Sequence, residues 1–153
     1  MPAGIFELRN PSDLLQKLRH DYERVRVNVM DSYAAMDFFL TAEHMVDWLF
    51  PKSRAARENL RSTPLLALCS HIANGAKHFE AKAPHHKWFS ESETHYGAFS
   101  SEFSSDFDIR GFAIILDDAA KKEFGDRIYV QDLAEKILIF WEEKMKNEKA
   151  TPA

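Results

Sequence analysis

The chain has 153 residues, 45% hydrophobic and 29% charged, the size of one domain with enough apolar content to bury a substantial core. A net charge of -4 and a pI near 6.0 provide no global attraction for nucleic acid or an acidic membrane, so any polyanion site has to be local. A single cysteine, Cys69, excludes a disulfide framework and a thiolate cluster for zinc, and its apolar helical surroundings predict a buried, inert thiol.

Met1 to Arg9 shows no basic stretch followed by an apolar one, and no apolar run is long enough to span a bilayer, which predicts a cytoplasmic protein. The first helix is predicted from Asn10, with Asn as cap, Pro11 at the first helical position and Asp13 suited to the positive helix end. Leu14, Leu18, Tyr22, Val25 and Val29 mark its buried face, and Asp31 caps the next helix. That second helix, Ser32 to Phe50, is apolar on almost every side and ends at Pro51; a helix of this kind is central in a bundle or uses its second face between subunits.

A basic linker follows, carrying Lys52, Arg54, Arg57 and Arg61 against Glu58 alone, and is the best local candidate for binding nucleic acid. Thr63-Pro64 restarts the chain as cap and first helical residue, and Leu65, Leu68, Cys69, Ile72, Ala76 and Phe79 form the buried stripe of a third helix. Gly75 inside that helix costs about 1 kcal/mol relative to Ala, which predicts a close backbone approach there.

Ala83 to His95 is polar and reads as an exposed loop. Beyond it the period becomes two, with Phe99, Phe103, Phe107 and Ile109 opposite polar residues, the pattern of a half-buried hairpin turning near Ser104 to Asp106. Phe112 to Leu116 is a second strand, Ala119 to Phe124 a short helix closed by Gly125, and Ile128 to Val130 a third strand. A last helix buries Leu133, Ile137, Phe140, Trp141 and Met145. The expected fold is therefore mainly α with a small β insertion: one domain with a helical core over 10–80, a three-strand antiparallel meander within 96–130, a final helix over 131–146 and a flexible tail over 147–153.

Two polar stripes interrupt the apolar helices. Asp37, Thr41 and His44 fall at i, i+4 and i+7 on the second helix, and His71, Asn74 and His78 repeat that spacing on the third. Facing each other, they would pair either as a buried network that fixes register or as a pocket in which an imidazole works as acid or base, oriented by Asp37 and beside the cation of Lys77. A metal site is not expected, because His71 and His78 stand about 10 Å apart along a helix, too far to share an ion. No Gly-x-Ser-x-Gly elbow and no phosphate-cradling glycine loop occurs, and no cofactor is expected.

The run Ala73-Asn74-Gly75-Ala76-Lys77-His78 resembles the signature of the HEPN superfamily of small helical bundles, with Asn74 and His78 at its polar and His positions and Ala73 where the family has Arg. The same run also resembles one in small bacterial and phage proteins. The HEPN resemblance implies a bundle of about four helices, a homodimer, and a nucleic-acid-directed role in a defence or toxin-type system. If the chain is an enzyme, it implies a metal-independent ribonuclease. On that reading His78 is the general acid or base, Asn74 orients the phosphate, Lys77 offsets its charge, and His71, His44, Asp37 and Thr41 support them. The alternative is a non-enzymatic protein interaction module in which the His/Asn stripe is structural.

Overall fold

The computed structural model describes residues 6–77, 89–95, 111–116 and 118–150. Local signals set most helix starts. The Asn10 side chain accepts from the Asp13 N–H at 2.9 Å and Pro11 opens α1 (Pro11–Val27); Asp31 does the same for Ala34 N–H at the head of α2 (Ser32–Leu49). Ser53 caps α3 (Arg54–Arg61) by accepting from the Ala56 N–H at 3.1 Å. Pro64 begins α4 (Pro64–Lys77), although the Thr63 hydroxyl donates backwards to the Leu60 carbonyl at 2.7 Å.

The remaining elements are β1 (Phe89–His95), β2 (Gly111–Leu116), α5 (Asp118–Phe124), β3 (Arg127–Tyr129) and α6 (Val130–Ala150). Gly125, at φ 88°, closes α5 with its N–H on the Lys121 carbonyl, the left-handed cap that glycine adopts without strain.

α2 lies at the centre, packed on α1, α4 and α6. Phe38 and Phe39 are fully buried and meet edge to face with ring centres 5.5 Å apart. Leu18 from α1, Leu66 and Leu68 from α4, and Leu133, Ile137 and Trp141 from α6 close around them. On α6 the buried positions Leu133, Ile137, Trp141 and Met145 recur every fourth residue, so one narrow stripe holds this helix to the core. Ile114, Leu116 and Ile128 bring β2 and β3 into the same cluster.

This architecture corrects the expected one. The described residues form six helices, where a bundle of about four and one short helix were expected, and helix dominates. The three-strand meander expected within 96–130 is not shown. Of that stretch, 96–110, which includes the expected hairpin, lies outside the described residues. The strand pairing seen instead joins β2 antiparallel to β1, a segment that reads as exposed loop, and to β3. The reason is chemical: Phe89-Ser-Glu-Ser-Glu-Thr-His95 is polar at both parities after its first residue, so no period marks it, while strand pairing uses main-chain groups that every sequence supplies.

The basic linker is likewise a helix, α3, capped at Ser53 but with no buried residue to produce an apolar period. Gly75 has no close backbone neighbour among the described residues: it is exposed, and a Cβ built there would meet none of them within 4 Å. α6 runs through Ala150, into the stretch read as a tail. No helix among the described residues is long and apolar enough to cross a membrane.

Candidate functional site

α2 carries two polar groups of side chains on different faces. The first faces α1. Asp21 is only 2% exposed, and its Oδ2 accepts from Lys17 Nζ at 2.6 Å and from the Thr41 hydroxyl at 2.7 Å. Thr41 also accepts from Lys17 Nζ at 2.8 Å, and its single proton has a second available acceptor in the Asp37 carbonyl at 2.9 Å. Arg24 donates to the half-exposed Asp37 carboxylate at 2.7 Å and stands 3.8 Å from Asp21. Lys17, Asp21 and Arg24 fall at i, i+4 and i+7, as do Asp37, Thr41 and His44, so the two stripes that meet are those of α1 and α2.

The second group lies about 120° round α2, toward α3 and α4. Arg61 Nε donates to Glu43 Oε1 at 2.6 Å and its Nη2 to Asp47 at 3.1 Å. The Ser70 hydroxyl donates to the same Glu43 oxygen at 3.3 Å, and Asn74 Nδ2 donates to the Ser70 carbonyl at 2.8 Å. Arg57 donates to the Phe50 carbonyl, which closes the end of α2, and lies 3.8 Å from Asp47. Burial pushes the Glu43 carboxyl above the ordinary glutamate range, against the opposing pull of Arg61. Burial likewise pushes the Cys69 thiol well up, with Glu43 adding to the effect, so it is a poor nucleophile; its sulfur is 3.7 Å from the Phe39 carbonyl.

These contacts place most of the expected site residues. Asp37 and Thr41 face α1, whereas Asn74 sits on the Glu43 side, so the two stripes read from the sequence do not form one pocket. His44 is exposed and His71 is buried, and His71 has an interaction partner of its own. Asn74, expected to orient a phosphate, turns its amide back onto its own helix. His78 and the side chain of Lys77 lie outside the described residues.

Of the four linker cations, Arg54 pairs with Glu58 at 2.7 Å, Arg57 and Arg61 are held as above, and Lys52 is exposed in the turn after α2. Among the described residues no three His, Cys, Asp or Glu side chains stand close enough to hold a metal ion.

Lys17, Asp21, Arg24, Glu43 and Ser70 were not singled out from the sequence, and Asp47 only beside His44 as a metal-ligand pair that lacks further ligands. For Asp21 the signal exists: Leu14, Leu18, Asp21 and Val25 follow the buried period, and an acid on that face demands partners. Glu43, between Ala42 and Met45 on a helix already read as apolar nearly all round, carries the same mark. Comparison with family models, curated proteins and solved structures finds no match to this chain, so the HEPN resemblance rests on Asn74, His78 and the run around them.

Proposed function

We propose that the chain is a non-enzymatic, cytosolic helical interaction module whose polar stripes are structural. The observation that supports this most is how the described candidate groups are used: Asn74 bonds Ser70, Arg57 and Arg61 are tied to the end of α2 and its carboxylates, and Asp37 and Thr41 belong to the seam with α1. A ribonuclease needs a cation and a donor aimed at the phosphate where negative charge develops, and these side chains are aimed at one another. A phosphate-tracking surface also needs arginines that water can reach, whereas Arg57 and Arg61 are 24% and 26% exposed.

The test is incubation of the purified protein with single-stranded and stem-loop RNA, alongside Asn74→Ala and His78→Ala variants. The module reading expects intact RNA, no salt-dependent binding, and variants that differ from wild type only in melting temperature. RNA cleavage abolished by His78→Ala, with helical circular dichroism unchanged, would overturn it in favour of the HEPN-like ribonuclease. The homodimer belongs to that second reading and is read by solution mass in the same preparation.

A further inference from the structure

The inference here rests on the interaction-module reading and names what that module would bind. A groove of about 660 Å³ runs between the end of α5, β3 and the outer face of α6, large enough to accept several side chains. Its apolar surface comes from Phe124, Ile128 and Ile139. Ile139 is 50% exposed, an isoleucine on the face of α6 opposite the stripe that holds the helix to the core.

Around this surface stand Glu123, Asp132 and Glu135. None of these three carboxylates takes part in an ion pair among the described residues, although Asp21, Asp37, Glu43, Asp47, Glu58 and Glu142 all do. Two cations, Arg127 and Lys136, share the groove with these three acids, so its lining keeps a net negative charge. Glu123 is also placed against local preference, in the last turn of α5, where the helix dipole disfavours a carboxylate. Its neighbours Lys121 and Lys122 have the sign that position favours. An unpaired acid in an unfavourable position beside an exposed isoleucine is a local conflict that a cationic, apolar ligand would relieve.

We propose that this groove docks a basic segment of a partner protein, one that seats an apolar side chain on Ile139 and Phe124 and sets lysines or arginines against Glu123, Asp132 and Glu135. Apolar contact would supply most of the affinity, and charge would supply selection and approach.

The experiment measures fluorescence anisotropy of a labelled Lys/Leu amphipathic peptide and of its Glu/Leu counterpart with the full chain. Binding is expected for the first and not for the second. The Glu123→Lys/Glu135→Lys variant should weaken it by about tenfold or more, equivalent to about 1.4 kcal/mol, and Ile139→Ser should weaken it as well. Asp132 is left intact because it sits in the first turn of α6, where an acid supports the helix. The charge-matched Glu7→Lys/Glu58→Lys variant should bind as wild type does. The proposal fails if the Lys/Leu peptide does not bind, if the control variant weakens binding equally, or if Ile139→Ser has no effect. Thermal melts verify that each variant is folded. None of these outcomes touches the RNA test, so the groove can fail while the module reading stands.

Discussion

Replacing Asp21 by Ala removes the acceptor on which the seam between α1 and α2 converges. Two short bonds are lost, from Lys17 at 2.6 Å and from Thr41 at 2.7 Å, at a residue only 2% exposed. Breaking a buried ion pair costs about 3–5 kcal/mol when the surviving charge stays buried. Here it does not: the Lys17 side chain is 40% exposed and returns to water, and Thr41 keeps the Asp37 carbonyl. The expected loss is therefore smaller, about 2–3 kcal/mol, set by two bonds to a charged acceptor and the small cavity left behind.

With a urea slope of about 2 kcal/mol/M, the unfolding midpoint should fall by about 1–1.5 M, followed by circular dichroism. Thr41→Val, which removes only the hydroxyl, should cost about 1 kcal/mol. The double variant should lose less than the sum, because both changes remove the same Thr41–Asp21 bond. A midpoint for Asp21→Ala at or above wild type would refute the reasoning, since it would mean that desolvating the carboxylate outweighs every bond it accepts.

Two further perturbations test other parts of the structure. Gly75→Ala should raise stability by about 0.5–1 kcal/mol in the same urea titration, because the helical position is exposed and open and Ala loses less backbone entropy; a loss would indicate a close neighbour after all. For Glu43, whose carboxyl lies above its ordinary range chiefly through burial, the folded state binds the proton more tightly than the unfolded chain does. Its contribution to stability is thus fully present below the unfolded glutamate pKa and is lost as pH rises through the folded value. Unfolding measured between about pH 4 and pH 7 should show Glu43→Gln gaining on wild type as pH rises; a gap that moves the other way would mean that Arg61 outweighs burial.

Much of the helical layout was legible because caps and apolar periods are local. Asn10 with Pro11, Asp31 before Ser32, Pro64, and the Leu133, Ile137, Trp141 and Met145 stripe each state their element within a few residues. α3 and β1 were not legible for a shared reason: neither has an apolar period, α3 because it has no fully buried residue and sets only Leu60 partly against the core, and β1 because both its parities are polar. The polar stripes were half legible. The i, i+4 spacing placed Asp37 and Thr41 on one face, but spacing within one helix does not say which neighbour that face meets. The buried acid in the α1 period, Asp21, was the missing statement, because it requires donors that α2 and Lys17 supply.

The two polar groups also explain how an almost all-apolar helix sits in one place. Packing of Phe38, Phe39, Met45 and Val46 is hydrophobic and tolerates small slides or rotations. Thr41 against Asp21 and Glu43 against Arg61 do not, because a slip of one residue would leave a buried oxygen without its donor on two faces at once. Pairing of carboxylates is accordingly the rule along α2, where each contact fixes a neighbouring helix. Two of the acids around Ile139 have no such role among the described residues: Glu123 ends α5, where the dipole disfavours it, and Glu135 lies on the outer face of α6, a helix already held by its buried stripe. That contrast is what turns the α6 groove from a surface irregularity into a binding face.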